Sequence, residues 1–280
     1  MSLIPFASFG GDDVPFRIQI SAFSEKASPR LFHLPCRAVT LAKEDQRSVF
    51  SISKRTLSSR MQNLLRRSLI ALAICLGAVL VCYFWIDRPT AFFVDRHHLD
   101  QVKVLHWLTY PPPELQTWSP LILTALALRR TWGPWSRWQK ALFVASVSLI
   151  VTDQFRVCLG DVCERYWPET WFENNPSLIG NGTYGFHPFE RGDDLGSFPS
   201  GHAARILSFV FVWFMVMPRT RVISAIISVA MLVSLVLMNY HFVSDVIAGA
   251  FLGAIIAAYA VHLASFPCHA EPSSVAIGES

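Results

Sequence analysis

The sequence predicts an all-α fold: a polytopic membrane helix bundle of about six transmembrane helices, with a catalytic loop region on the outer side. Three observations carry this reading. Hydrophobic residues make up 52% of the 280 and charged residues only 16%, with a mean hydropathy of +0.37, well off the pattern of a soluble domain. Apolar stretches recur near the length of about 20 residues that a span needs. Arg and Lys collect in alternate connections, which is how membrane helices are oriented.

Residues 1–60 come first and stand apart. They are polar and mixed, with Pro5, Pro15, Pro29 and Pro35, acidic Asp12, Asp13, Glu25, Glu44 and Asp45, and no spanning run. No compact apolar region with a cleavage site marks them as a targeting segment. Two readings remain: a disordered cytoplasmic tail, or a true start at Met61, from which Gln62 to Arg67 reads as an ordinary membrane-protein opening. The second is favoured.

A membrane domain is expected over 61–265, followed by a short tail over 266–280. Its candidate spans are Ser68 to Ile86, Trp118 to Leu128, Ala141 to Phe155, Ala203 to Met217, Val222 to Met238 and Val243 to Ala264. The second, third and fourth are short and must extend into their flanks. Between the first two, Asp87 to Pro113 interleaves Phe92, Phe93, Val94, Leu105, Trp107 and Leu108 with charge, which predicts a short helix lying in the membrane interface. Adjacent His97 and His98 do not make a metal site, because neighbours on a helix point different ways and no ligand-spaced Asp, Glu or Cys set accompanies them. No metal and no cofactor is expected.

Arg66 and Arg67 precede the first span, Arg129, Arg130, Arg137 and Lys140 lie between the second and third, and Arg219 and Arg221 lie between the fourth and fifth. Six spans put all three clusters and both termini in the cytoplasm. The loop from Arg156 to His202 and the turn at His241 then share the outer face. The net charge of +4 reflects these anchors and gives no case for nucleic acid. Of the six cysteines, Cys75 and Cys82 pack within the first span. Cys158 and Cys163 fall on the outer side, where an oxidising compartment allows a bridge if their Cα atoms stand about 4.4 to 6.8 Å apart.

The chemistry sits in Phe198, Pro199, Ser200, Gly201, His202 and, downstream, Asn239 to Asp245. Pro199 sets a turn, Ser200 caps a helix and Gly201 admits backbone amides to an anion, so the run forms a helix N-terminus suited to phosphate. His241 and Asp245 are four residues apart and share one helix face. A carboxylate there can hold one ring nitrogen, leaving the other free to attack phosphorus while His202 protonates the leaving oxygen. Pro-Ser-Gly-His alone is merely a good helix start, His241 alone an interfacial histidine, and Asp245 alone a cap. Together in an apolar bundle they point to function.

At these residues the chain resembles the type 2 phosphatidic acid phosphatase family, which shares its active-site plan with vanadium haloperoxidases. The family's motifs are Lys, six residues, Arg-Pro; then Pro-Ser-Gly-His; then Ser-Arg, five residues, His, three residues, Asp. Pro199 to His202 match the second completely, and His241 and Asp245 keep the spacing of the third. Leu235, after Ser234, stands where the third motif has Arg. In the first, Arg156 replaces Lys, and Arg165 follows after eight residues instead of six, as if residues were inserted around Asp161 to Glu164.

The resemblance implies a phosphohistidine on His241, with His202 as acid and base and Asp245 as the orienter. Arg156 and Arg165, with Ser200 and Gly201, would bind phosphate through planar guanidinium forks and amides, and Arg205, one turn after His202, would replace the missing third-motif Arg. It further implies a bacterial inner-membrane enzyme whose active site faces the periplasm. Trp167, Trp171, Phe172, Tyr184, Phe186 and Phe189 suit the boundary of headgroup and acyl chain, so the partner is a lipid phosphate. Lipid A, undecaprenyl diphosphate and phosphatidylglycerol phosphate are the candidate classes, lipid A or another outer-leaflet lipid phosphate first. A lipid phosphotransferase, a haloperoxidase and an inactive lipid-phosphate binding protein stay open beside the phosphatase.

Overall fold

The chain begins its described course as one long helix, α1, Met61–Arg96, in a computed structural model that describes residues 59, 61–171, 174–189 and 195–264. The tails expected over 1–60 and 266–280 lie, apart from residue 59, outside the described residues, as does Phe172. Described residues fall within one compact unit, Ser58–Ser280.

The later helices are α2, Lys103–Leu108, α3, Pro111–Arg130, α4, Arg137–Cys163, the single turn α5, Leu178–Asn181, α6, Gly201–Val216, α7, Arg221–Leu237, and α8, Val243–Leu263. Four helices, Met61–Arg96, Arg137–Cys163, Pro218–Leu237 and Val243–Leu263, are long and apolar enough to cross a membrane, and Gly201–Val216 is a shorter apolar one. With α3 they make the six-helix bundle of an integral membrane protein. Side chains such as Ile74, Phe84 and Trp85 on α1 and Val222 and Val229 on α7 are exposed, as the lipid-facing sides of spanning helices are.

Each helix end has a local cause. Ser136 caps α4 in a reciprocal box with Gln139, the Gln139 amide donating to Ser136 Oγ at 3.3 Å and the Ser136 amide to Gln139 Oε1 at 2.9 Å. Ser200 caps α6 by accepting the Ala203 amide at 3.3 Å, and Asp245 caps α8 by accepting the Phe242 amide at 3.1 Å. Apolar clusters then join the helices: Ala145, Val212 and Ala257 tie α4, α6 and α8, while Ile206, Leu235 and Val246 tie α6, α7 and α8. Leu235, in the place of the family's Arg, is wholly buried core.

The tightest seam is α6 against α8. Gly249 and Gly253 bring α8 so close that an added Cβ would collide with the carbonyls of Ser200 and Ala204. Small residues four apart give two helices this approach.

Two expectations change. The first span does not end at Ile86 with a separate interfacial helix beginning at Asp87, since α1 continues through a π turn, Cys82–Ile86, into Asp87–Arg96; only Lys103–Leu108 forms a short separate helix. Cys158 and Cys163 are free thiols because both lie on α4. Five residues along a helix rise about 7.5 Å, beyond the reach of a disulfide.

Candidate active site

The ends of α3, α4 and α6 and the turn before α8 meet at one end of the bundle around a cavity of about 550 Å³, whose walls include Arg156, His202, Arg205 and His241. The basic connections lie at the other end, where Arg137 Nη2 donates to the Val216 carbonyl at 2.6 Å.

His241 is only 4% exposed, and its Nδ1 is 3.0 Å from the carbonyl oxygen of Ser197. A carbonyl accepts and never donates, so Nδ1 carries the proton and Nε2 carries the lone pair. Burial, then His202 and Arg156, hold the imidazole well below its ordinary pKa of 6.5, which keeps the ring neutral. Trp167 packs against it at 5.2 Å between centroids. The His202 ring centroid stands 6.1 Å from that of His241.

Asp245 does not hold the His241 ring directly. Its Oδ2 is 4.0 Å from His241 Nδ1 and instead accepts the Ser197 hydroxyl at 2.6 Å. The expected Asp–His bond is therefore relayed through Ser197, because the carboxylate's other oxygen is drawn to Arg165.

Arg165 is likewise displaced from its expected role. It is 0% exposed and does not line the cavity. Its Nη1 donates to Ser244 Oγ at 2.6 Å and to Asp245, and its Nη2 to Asp87 Oδ2 at 2.8 Å and the Tyr184 hydroxyl at 3.2 Å. Burial works against the guanidinium charge, yet Asp245 and Asp87 raise its pKa above the usual value. The Arg165 carbonyl also accepts the amides of Gly196 and Ser197 at 3.1 and 3.2 Å. Arg165 is the ion-paired anchor of the loop, with no fork to spare for phosphate.

Arg156 and Arg205 do reach the cavity. Arg156 donates from Nη2 to the Gly196 carbonyl at 3.2 Å and crosses the start of α6, where a Cβ on Gly201 would lie 3.2 Å from its Nε. That approach is the reason for glycine. Arg205 is held by Asp153, its Nε and Nη2 at 2.8 and 2.7 Å from Oδ1, with Gln116 on the carboxylate's other oxygen at 2.5 Å. The Ser200 amide is taken by the Asp245 carbonyl at 3.0 Å, while its Oγ accepts the Ala203 amide in the cap, so the hydroxyl proton is the donor that Ser200 keeps. The amides of Gly201 and His202, first in the helix, point an anion-binding end at the cavity.

Sequence reasoning missed Ser197, Asp87 and Asp153. Asp87 and Asp153 carried a signal, since each is an acid within an apolar stretch that must find a cation. Ser197 carried none. Among the described residues no group of three or more His, Cys, Asp or Glu converges as metal ligands would.

Residues 141–266 match the model of the PAP2 superfamily. Among solved structures, the chain is similar to a transmembrane PAP2-type phosphatidylglycerolphosphate phosphatase from Bacillus subtilis, at 15% identity and a TM-score of 0.41, over 69% of this chain and 93% of that one. That is a loose overlay. A comparison with curated proteins finds no match. The matched stretch, just under half of the chain, runs from α4 through α8 and contains both histidines and both cavity arginines.

Proposed function

We propose that the protein is a lipid phosphatase of the bacterial inner membrane, its active site facing the periplasm, which hydrolyses a phosphomonoester or diphosphate of a lipid through a phosphohistidine. The observation that carries this reading is the bond from His241 Nδ1 to the Ser197 carbonyl, which leaves Nε2 as a neutral nucleophile beside two guanidinium groups.

Nε2 of His241 forms a bond to phosphorus while the phosphorus–oxygen bond to the lipid breaks. The electron pair leaves with that oxygen, and His202 supplies its proton. Water then attacks phosphorus, His202 takes the proton, and the phosphorus–nitrogen bond returns its pair to Nε2 as inorganic phosphate departs. Arg156, Arg205 and the amides of Gly201 and His202 spread the charge on the equatorial oxygens, which is most of what a protein does for phosphoryl transfer. Two guanidiniums supply the positive charge, so the route needs no metal. The outward orientation rests on the basic connections at the far end of the bundle. Lipid A, undecaprenyl diphosphate and phosphatidylglycerol phosphate are the substrate classes that the family resemblance offers.

The test is phosphate release by purified protein in detergent from one lipid of each class, with His241→Ala beside the wild type. Release from one lipid, lost in the variant and kept in chelator, supports the proposal. Transfer of labelled phosphate to a lipid acceptor without free phosphate would replace hydrolysis by phosphotransfer, and no turnover with retained binding would make this a binding protein.

A further inference from the structure

Part of the cavity wall has no place in the mechanism above. His106, on α2, has Nδ1 at 2.8 Å from the Tyr240 hydroxyl and Nε2 at 3.0 Å from the Tyr110 hydroxyl. Thr109 Oγ1 donates to the His106 carbonyl at 2.7 Å. All four residues line the cavity that holds both catalytic histidines.

A carbonyl only accepts, so the Thr109 proton is committed to it. A neutral imidazole carries one N–H, so His106 donates to one tyrosine oxygen and accepts from the other. In either tautomer the Tyr110 and Tyr240 oxygens each keep a lone pair to offer the cavity.

These acceptors sit beside the leaving group. The Tyr240 ring lies at 20° to the His202 ring, 6.5 Å between centroids, and His202 protonates the departing oxygen. Carbons attached to that oxygen therefore come to rest against Tyr240. Trp171 packs edge-on to Tyr240 at 4.6 Å and keeps 37% of its surface exposed. Hydrogen-bond acceptors flanked by aromatic faces match a leaving alcohol that carries hydroxyl donors on a carbon framework, and do not match a bare hydrocarbon chain.

We infer that Tyr110 and Tyr240, aligned by His106, form an acceptor subsite for a hydroxylated headgroup, so that the phosphate removed is borne on a polyol or sugar and not on a prenyl chain or diacylglycerol alone. This rests on the phosphatase reading and narrows its substrate class. Tyr110 and Tyr240 are then specificity residues, and His106 positions them.

The experiment measures kcat/KM for full-length protein in detergent on phosphatidylglycerol phosphate, an acylated glucosamine 1-phosphate and phosphatidic acid, the last lacking headgroup hydroxyls. The wild type is expected to favour at least one hydroxylated substrate over phosphatidic acid by tenfold or more. Tyr110→Phe, which keeps the ring, is expected to lower that ratio about five- to tenfold, the scale of one neutral hydrogen bond, and Tyr240→Phe gives a second reading. A wild-type ratio near one, or a ratio that both variants retain, overturns the inference. No release from any of the three lipids fails the phosphatase reading itself and takes this inference with it.

Discussion

The carboxylate of Asp245 and the imidazole of His241 stand 4.0 Å apart, with Ser197 between them. The serine hydroxyl donates to Asp245 at 2.6 Å, while the carbonyl of the same residue accepts from His241 Nδ1 at 3.0 Å. Charge at Asp245 thus fixes a piece of backbone, and the backbone fixes the His241 ring.

Ser197→Ala tests that relay, since it keeps the carbonyl and removes only the hydroxyl. If Asp245 oriented the imidazole directly, the change would be silent. A drop in kcat of about tenfold with KM nearly unchanged is expected, on the scale of one charge-assisted hydrogen bond to a carboxylate. Steady-state phosphate release reads both constants.

How much of this was legible in the sequence depends on what each residue answers to. The meeting of His202 and His241 at one cavity was legible in their types and spacing, and the gathering of the basic connections at the other end of the bundle in the alternation of Arg and Lys along the chain. Arg165 was read as a phosphate clamp because its family position was counted along the chain. Its partner Asp87 lies 78 residues away on α1, and no local pattern reports such a pairing. The extent of α1 was missed for the same reason: a charge at Asp87 looks like a helix end until its buried cation is known. Gly249 and Gly253, four apart within an apolar run, were a readable sign of close packing that motif reasoning passed over.

Arg165 and Arg156 should fail in different ways. Removing Arg165 leaves Asp87 and Asp245 buried and uncompensated, at about 3 to 5 kcal/mol, so Arg165→Ala should lose folded protein. Arg156 faces the cavity, and Arg156→Ala should stay folded while kcat/KM falls by about 10² to 10³, as when one preorganised donor is lost. Thermal unfolding in detergent beside the activity assay separates the two. A stable, weakly binding Arg165→Ala would restore it as a clamp.

Arg205 is aimed by Asp153, which makes the two residues one unit. Arg205→Ala should reduce affinity for inorganic phosphate as a competitive inhibitor by about tenfold. Asp153→Asn should do part of the same without touching the ligand. Because coupled residues are non-additive, the double variant should be no worse than Arg205→Ala alone. A double variant with the full sum of both losses would show that the two act separately.

The acidic limb of activity should lie low. In the proposed mechanism His241 attacks only when neutral, and burial with His202 and Arg156 holds its pKa well below 6.5. In kcat/KM against pH, the limb that reports His241 should therefore have its midpoint below 6.5, and a midpoint at or above that value would mean that the ring is not so held. The same shift has a sign for stability. Unfolded, the ring takes its proton near 6.5, so below that pH the unfolded chain binds more protons than the folded one, and stability falls as pH drops through this range. The difference in thermal midpoint between the wild type and His241→Ala, followed from pH 7 to pH 5, reads it.

Gly249 and Gly253 connect packing to catalysis. Their missing Cβ atoms let α8 lie against the carbonyls of Ser200 and Ala204, and Ser200 is the cap that sets the start of α6 and hence His202. Alanine at either site cannot be relieved by a rotamer change, because the obstacle is backbone on both sides. The helices must separate, which costs on the order of 1 to 3 kcal/mol for overpacking and moves His202 relative to His241. Displacement of about 1 Å is enough to lower rate about 10²-fold. Gly249→Ala, opposite Ser200, should therefore lose more activity than stability, whereas Gly253→Ala, one turn deeper opposite Ala204, should lose mainly stability. Parallel kcat and thermal-unfolding measurements on the two variants decide it, and equal activity losses at equal stability would mean that the α6–α8 seam does not set the distance between the two histidines.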